Sequence, residues 1–210
     1  MNTIGIVDLG IGNIRSVQQA VRFLGGIPVV VRDPDEVAVH CALILPGVGS
    51  FGAASSAMRR IGFSEAIVAS VEAGHPLLGI CLGMQLLATE GEEGGPSLGL
   101  GLIPGVVKRF AEGVRVPHVG WNNVAPVPGA RLFRGIPPAE HFYFVHSYYL
   151  EPADPSCVAA RADYSGPFPA AVSLGNVSGV QFHPEKSYRA GLRLMSNFLE
   201  SVPGQMTAGR

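Results

Sequence analysis

A cysteine flanked by glycines lies in the first half of this 210-residue chain, in the sequence Gly79-Ile80-Cys81-Leu82-Gly83. An apolar run that predicts a buried strand precedes it, and a helical pattern follows. Glycine on both sides permits the sharp strand-to-helix turn that lifts a nucleophile off the edge of a sheet. A helix N-terminus beside the sulfur favours the thiolate, the reactive form of cysteine. These residues therefore predict a nucleophile, although they also suit a cysteine that only fills the core.

A histidine and a glutamate that could serve this nucleophile lie far along the chain, in Val180-Gln181-Phe182-His183-Pro184-Glu185. A cysteine nucleophile needs a base, and the base needs a third group that fixes its tautomer and orientation. Residues two apart in an extended segment project to the same side, so Glu185 can hold one imidazole nitrogen while the other faces the thiol. The sequence therefore predicts a triad of Cys81, His183 and Glu185.

A glycine-rich turn after another apolar run offers the remaining element of acyl chemistry, Leu45-Pro46-Gly47-Val48-Gly49. An oxyanion needs backbone N–H donors, commonly one just after the nucleophile and one from a nearby glycine-rich turn. We expect Leu82 to supply the first donor and the turn, at Val48 and Gly49, to supply the second. Taken alone, the turn is equally an ordinary connection after a strand.

The elements that must position these residues alternate along the first half of the chain. Apolar strands without polar alternation, separated by helices, predict an α/β fold with a mixed, largely parallel central sheet, flavodoxin-like, with helices on both faces. The predicted strands there are 3–7, 27–31, 42–45 and 75–80, and the predicted helices are 16–24, 52–73 with an interruption near Gly62, and 81–89. Beyond Gly91, the segments 106–110, 142–150, 158–162, 170–174 and 177–182 predict antiparallel or mixed strands that extend the sheet, before a last helix at 188–201.

The composition predicts one well-buried domain. Apolar residues make up 47% and charged residues 15% of the chain, which suits a large core. We expect a single domain over residues 1–202 and a frayed tail at 203–210. The net charge of −1, with no basic block, argues against a nucleic-acid partner. No apolar run reaches the length of a membrane span, and the N-terminus lacks the basic region of a signal peptide.

Cysteine and histidine usage indicates the compartment and argues against a metal. The three cysteines are an odd number without CxxC spacing, so we expect no disulfide framework, no zinc site and a reduced, cytoplasmic setting. Cys41 and Cys157 lack the setting of Cys81 and are interpreted as packing residues. The six histidines show no metal-ligand spacing, which argues against a metal hydrolase.

The cysteine segment, continued through Met84 and Gln85, together with His183-Pro184-Glu185, resembles the class I, or triad, glutamine amidotransferases. Further segments narrow the resemblance to the branch of this family that serves histidine biosynthesis. They are Asp8-Leu9-Gly10-Ile11-Gly12-Asn13, Pro46-Gly47-Val48-Gly49-Ser50-Phe51, Val116-Pro117-His118-Val119-Gly120-Trp121-Asn122, Tyr143-Phe144-Val145-His146-Ser147-Tyr148 and Gly179-Val180-Gln181-Phe182-His183-Pro184-Glu185-Lys186-Ser187. The resemblance covers nearly the whole chain. Tyr188 departs from the glutamine that is common in this branch.

The resemblance implies a reaction and a substrate site. Cys81 would attack the side-chain amide of glutamine to form a γ-glutamyl thioester, while His183 transfers protons and Glu185 orients it. The peptide at Val48 would be an adjustable oxyanion donor. No cofactor is implied. The residues that the resemblance implies for glutamine binding are Gly47, Gln85, His146, Ser147 and Tyr148.

The resemblance also implies a partner. The ammonia would pass to a cyclase subunit built as a (β/α)₈ barrel, with the two subunits forming a heterodimer. Asn13, Trp121, Tyr143 and Lys186 match positions that line the interface between such subunits. The two aromatic residues would equally suit a core, and Lys186 a solvated surface.

Other interpretations remain open at the level of sequence. Gly10-x-Gly12 after a first strand, with Asp33 downstream, suits a dinucleotide-binding protein, but Arg15 stands where the third glycine belongs. A non-catalytic relative would have lost triad residues, and all three are present. Within the family, glutaminase subunits for anthranilate, aminodeoxychorismate or pyridoxal phosphate synthesis are the alternatives.

Overall fold

A nine-stranded sheet forms the centre of the molecule in the computed structural model, which describes residues 3–202. The predicted tail at 203–210 lies outside the described residues. The strands, in chain order, are β1 Thr3–Val7, β2 Ile27–Val31, β3 Ala42–Gly47, β4 Leu77–Cys81, β5 Glu90–Gly91, β6 Ser97–Leu98, β7 Gly105–Arg109, β8 His118–Pro126, β9 Glu140–His146, β10 Tyr148–Pro152, β11 Val158–Asp163, β12 Pro167–Leu174 and β13 Val177–Val180. The α-helices are α1 Ile14–Phe23, α2 Phe51–Arg60, α3 Phe63–Glu72, α4 Leu82–Gln85 and α5 Tyr188–Leu199.

The central sheet changes from parallel to antiparallel pairing at β13. Its order is β2-β1-β3-β4-β13-β12-β11-β8-β9. The strands from β2 to β13 pair in parallel, and the strands from β13 to β9 pair antiparallel. Every residue of β3 and β4 is buried, as expected for parallel strands covered on both faces. The predicted α/β fold with a mixed sheet is confirmed.

Two apolar cores lie on opposite faces of this sheet, because successive residues of a strand point to opposite sides. In β3, Ala42 and Ile44 belong to one core and Leu43 and Leu45 to the other. Helices α1 and α5 contribute to the first core, and α2 and α3 to the second. The predicted break near Gly62 separates α2 from α3, where the glycine adopts a left-handed φ of 86°.

A second sheet, of order β10-β7-β5-β6, corrects two predictions. The segment 106–110 does not extend the central sheet, because β7 pairs with β10 instead. The predicted strand 142–150 is two strands, and Ser147 separates β9 in the central sheet from β10 in the second. Phe142, Phe144, His146 and Leu150 are all buried. Apolar and aromatic residues continue on both sides of Ser147, so the sequence pattern could not reveal the break.

The helix predicted over 81–89 is also wrong in its length, since α4 ends at Gln85. In a longer helix the Met84 and Gln85 carbonyls would accept N–H groups four residues ahead. They instead accept the Leu87 and Ala88 N–H groups, three residues ahead, at 3.1 and 3.0 Å. The following carbonyls, of Leu86, Leu87 and Ala88, accept N–H groups from a returning loop, at Leu100, Ile103 and Gly101.

Candidate active site

Cys81 occupies a strained turn between β4 and α4. Its φ of 56° and ψ of −111° lie where non-glycine residues are rare, and only 5% of the residue is exposed. The flanking glycines let α4 lie directly on the sheet. A Cβ on Gly83 would come within 1.7 Å of the Leu45 carbonyl oxygen, and a Cβ on Gly79 within 2.6 Å of the Gly83 carbonyl oxygen. The sequence predicted this sharp turn, and its reason is close backbone approach.

His183 and Glu185 reach Cys81 because β13 is the neighbour of β4, with Val180 paired to Ile80. The chain continues past β13 into a 3₁₀ turn, Pro184–Lys186, and the His183 N–H donates to the Tyr143 carbonyl at 2.9 Å. His183 Nδ1 lies 2.9 Å from Glu185 Oε1, and the two side chains are 3% and 1% exposed. The pair is therefore buried and fixed by both side-chain and backbone hydrogen bonds.

The charge of His183 is set by opposing effects. Burial lowers its pKa, but the neighbouring Cys81 and Glu185 side chains outweigh burial and raise the pKa to about 9. His183 Nε2 is buried, and among the described residues its approach to any partner is outside ordinary hydrogen-bond geometry. A protonated imidazole beside Cys81 favours the thiolate.

The other two cysteines behave differently. Burial raises the pKa of the Cys41 and Cys157 thiols. The Cys41 thiol donates to the Thr3 carbonyl at 3.1 Å, and Cys157 belongs to an apolar core. Both sulfurs therefore remain thiols at neutral pH and pack as small apolar groups.

A cavity of about 300 Å³ opens beside Cys81. Its lining contains all the predicted oxyanion and glutamine-binding residues except Gly47, namely Val48, Gly49, Leu82, Gln85, His146, Ser147 and Tyr148. Cys81, Glu93, Pro117 and Val145 complete the lining. Gly47 is not in the lining, but it is paired with Cys81 across β3 and β4. His183 and Glu185 lie behind the sulfur and do not line the cavity. The nucleophile thus faces the same cavity as the turn at Val48 and Gly49 and the segment from Val145 to Tyr148.

Two polar residues that the sequence interpretation missed, Gln181 and His118, form hydrogen bonds with residues that line this cavity. Gln85 Nε2 donates to the Tyr148 carbonyl at 2.8 Å and to Gln181 Oε1 at 3.1 Å. Gln181, which is fully buried, has its Nε2 3.8 Å from Cys81 Sγ. His118 is buried against His146 with 3.0 Å between ring nitrogens. Gln181 lies two residues before His183, so the alternation that linked His183 to Glu185 could have found it.

Three of the four predicted interface residues form one surface cluster. Trp121 is 44% exposed, so it is not a core residue, and its ring lies 5.9 Å from that of Tyr143. Lys186 Nζ lies 5.7 Å from the centre of the Tyr143 ring. Tyr188 stacks on Trp121 at 5.0 Å with an interplanar angle of 4°. Asn13 is the N-cap of α1, where its Oδ1 accepts the Ser16 N–H.

The features that suggested a dinucleotide site have local roles. Asp8 accepts the Gly10 N–H, and Asp33 accepts the Asp35 N–H at the start of a 3₁₀ turn. Within residues 3–202, no cluster of three or more His, Cys, Asp or Glu side chains is arranged to hold a metal ion. No helix among these residues is long and apolar enough to cross a membrane.

Known proteins resemble this chain over nearly its full length. A family model described as glutamine amidotransferase class-I matches residues 5–202. The imidazole glycerol phosphate synthase subunit HisH of Moorella thermoacetica is 49% identical over 210 residues, covering 100% of both chains. The subunit of the same name from Symbiobacterium thermophilum is 48% identical over 198 residues, covering 94% of this chain and 93% of the relative. A solved structure described as a glutamine amidotransferase is 26% identical with a TM-score of 0.76, covering 95% of this chain and 98% of its own. By the family model and by its identity to these relatives, the chain belongs to the class-I glutamine amidotransferase family and, within it, to the HisH subunits.

Proposed function

We propose that this chain is the glutaminase subunit of an imidazole glycerol phosphate synthase. It hydrolyses glutamine to glutamate and ammonia and delivers the ammonia to a cyclase subunit, which makes imidazole glycerol phosphate and an aminoimidazole carboxamide ribotide in histidine biosynthesis. The observation that carries this proposal is the buried His183–Glu185 pair, 2.9 Å apart, directly behind a cysteine that opens onto a cavity.

The proposed reaction has two halves, formation of a thioester on Cys81 and its hydrolysis, and His183 transfers a proton in each. The Cys81 thiolate attacks the side-chain carbonyl carbon of glutamine, and the protonated His183 gives its proton to the departing ammonia. The resulting thioester is then attacked by a water molecule, whose proton returns to His183 as the Cys81 thiolate leaves with its electron pair. Glutamate is the second product. The raised pKa of His183, about 9, supports its role as the proton donor of the first half.

The negative oxygen formed in each half needs backbone donors. We propose the Leu82 N–H, at the first residue of α4, and an N–H of the turn at Val48 and Gly49. Support comes from the position of all three residues in the lining of the cavity beside Cys81. Gly49 has a left-handed φ of 103°, which glycine adopts at little steric cost because it has no Cβ. The peptide beside it can therefore change its orientation easily. The Val48 peptide is therefore proposed as the donor that adjusts its orientation.

Replacement of Cys81 by alanine tests the reaction. Cys81→Ala should abolish glutamine-dependent synthesis by the assembled enzyme, because the thioester cannot form, and leave ammonia-dependent synthesis intact. Glutamine analogues with an electrophilic carbon should label Cys81 and neither Cys41 nor Cys157, whose thiols have raised pKa values. Mass spectrometry of the labelled protein reads this directly. Labelling of Cys157, together with glutamine-dependent activity retained in Cys81→Ala, would show that Cys81 is not the nucleophile.

We also propose that the partner is a (β/α)₈-barrel cyclase bound as a heterodimer. The proposed contact surface comprises Asn13, Trp121, Tyr143 and Lys186. It is supported by the exposed Trp121 ring and by the Tyr143 ring, whose centre lies 6.5 Å from that of the catalytic imidazole. A reduced, cytoplasmic compartment is part of this proposal and is supported by free Cys41, Cys81 and Cys157.

The chain provides a matched pair of lysines to test the surface. Lys186 and Lys108 each lie over a tyrosine ring, at 5.7 and 5.5 Å. Lys186→Ala should weaken the activation of glutamine hydrolysis by the cyclase, because the ring that Lys186 covers, Tyr143, belongs to the proposed interface. Lys108→Ala should leave it unchanged. Turnover is measured for the subunit alone, with cyclase, and with cyclase plus acceptor nucleotide. An equal loss of activation in both variants would show that Lys186 is not part of the interface.

A further inference from the structure

We infer that Gln181 is a further catalytic residue of this site: its side-chain amide donates a hydrogen bond to the Cys81 sulfur and stabilises negative charge there. The inference rests on the proposed glutaminase function for its turnover measurement, whereas its thiol measurements do not depend on that function. Gln181 is fully buried, and its Nε2 lies 3.8 Å from Cys81 Sγ, within the range of an N–H···S contact. No other assigned role accounts for a buried amide at the reacting atom.

The direction of the Gln181 amide is fixed by its neighbour. Gln85 Nε2 lies 2.8 Å from the Tyr148 carbonyl, which can only accept, so this atom is the donor end of Gln85. The same Nε2 lies 3.1 Å from Gln181 Oε1 and uses its second hydrogen there. Gln181 must therefore present its oxygen to Gln85, and its N–H groups are left to face the sulfur.

The Tyr148 carbonyl also fixes the hydrogen-bond directions at His146 and His118. His146 Nδ1 lies 2.8 Å from the Tyr148 carbonyl and must be its donor. Burial lowers the pKa of His146 to about 3, so the ring is neutral and its Nε2 accepts. His118 Nδ1, 3.0 Å away, is then the donor to that nitrogen. Burial lowers the pKa of His118 to about 4, so its own Nε2 accepts in turn, from Asn122 Nδ2 at 3.3 Å.

These contacts form one continuous hydrogen-bond chain from β8 to the nucleophile. Its members, in order, are Asn122, His118, His146, the Tyr148 carbonyl, Gln85, Gln181 and Cys81. The Tyr148 carbonyl can only accept hydrogen bonds, and this decides which atom donates and which accepts at each other contact of the chain. A reversed Gln181 amide would point its oxygen at the sulfur and its N–H at the Gln85 N–H. The chain thus excludes the orientation that would repel a thiolate.

The test replaces the Gln181 amide without changing its length. In Gln181→Met, the rate constant for alkylation of Cys81 by iodoacetamide at neutral pH should fall roughly tenfold, because a hydrogen bond to a charged group is lost. The ultraviolet thiolate absorbance, measured against Cys81→Ala, should fall with it. Gln19→Met, at an exposed glutamine of α1, is the control and should match the unsubstituted protein. Glutamine turnover should show the loss in kcat more than in KM.

The outcomes separate this inference from the proposed function. An unchanged alkylation rate in a folded Gln181→Met protein, judged by its thermal unfolding, would overturn the inference. Should that variant fail to fold, Gln181→Glu keeps the acceptor for Gln85 and replaces the donor with oxygen. A decrease in its alkylation rate supports the inference, and an unchanged rate overturns it. Reduced alkylation in a protein that does not hydrolyse glutamine with any partner would uphold Gln181 and reject the glutaminase proposal.

Discussion

At the scale of single residues, Glu185 is the most constrained member of the site. Its side chain is 1% exposed, Oε1 contacts His183 Nδ1, and Oε2 is buried without a hydrogen-bond partner among the described residues. A carboxylate buried in this way stabilises a protonated imidazole and selects the tautomer that leaves Nε2 facing the sulfur. Its contribution to the site is therefore charge and orientation together.

Glu185→Gln separates that contribution from packing, because the amide has nearly the same shape. The variant should stay folded and lose turnover, at the extreme on the order of 10⁴-fold as when a triad acid is neutralised. A milder loss is expected because cysteine is intrinsically more nucleophilic than serine. The pKa of His183, about 9 in the unsubstituted protein, should fall because the Glu185 charge helps to raise it. Full turnover with an unchanged pH profile would show that Glu185 does not orient His183.

The residues of the triad could be predicted because each lies in a short motif with a mechanical reason for its spacing. Gln181 belongs to the same motif as His183, yet a glutamine has no titratable group to draw attention to it. His118 could not be placed at all, because its partner His146 lies 28 residues away and the two meet only through the pairing of β8 and β9. Long-range strand pairing is what the sequence pattern left undetermined.

At the scale of elements, the contact between α4 and β3 positions Cys81. Gly83→Ala would force a Cβ to within 1.7 Å of the Leu45 carbonyl oxygen, which is backbone and cannot rotate away. We expect the free energy of unfolding to fall by more than about 3 kcal/mol, beyond the ordinary range for one substitution. Analogue labelling of Cys81 should be lost with it. Chemical denaturation measures the first effect and mass spectrometry the second.

Gly25→Ala is the matched control for this prediction. Gly25 has a left-handed φ of 82° but nothing within 4 Å of an added Cβ. Only backbone strain of roughly 1–2 kcal/mol should result, with labelling of Cys81 unchanged. Equal losses in the two variants would show that the close approach of α4 to β3 is unimportant.

The elements of the parallel half followed from sequence more closely than those of the antiparallel half. Strand β1 has the predicted bounds, Thr3–Val7, and its last four residues are buried, because buried parallel strands read as continuous apolar runs between turns. The division between β9 and β10 escaped detection because apolar and aromatic residues continue on both sides of Ser147. Strand β8 was not predicted, because its sequence shows no regular alternation of apolar and polar residues and only His118 and Val124 in it are buried.

At the scale of the whole molecule, the buried histidines make stability depend on pH. The pKa values of His118 and His146 are lowered by burial from 6.5 to about 4 and about 3. Below pH 6.5 the unfolded chain therefore binds protons that the folded protein does not. Stability present above pH 6.5 should be lost as the pH falls toward these values, by up to about 1.4 kcal/mol per pH unit for each histidine.

Denaturant unfolding between pH 7 and pH 4 checks this sign. His118→Gln should reduce the slope of the loss, because it removes one of the three histidines whose pKa is lowered by burial, His40, His118 and His146. His141→Gln, at an exposed position of β9, is the control and should leave the slope as it was. Stability that rises on acidification over this range would contradict the neutral assignment of the pair.

The hydrogen-bond chain between Asn122 and Gln181 has a consequence for the ionic conditions the site tolerates. Its members are amides, neutral imidazoles and a carbonyl, so dissolved ions have no charge on it to screen. Surface ion pairs, such as Arg32 with Asp8 and Lys108 with Glu151, are exposed to that screening. Changes of ionic strength therefore act on the outside of this molecule, while the hydrogen bonds that hold Gln85, His146 and Tyr148 in the cavity wall keep their geometry in dilute buffer and in concentrated salt.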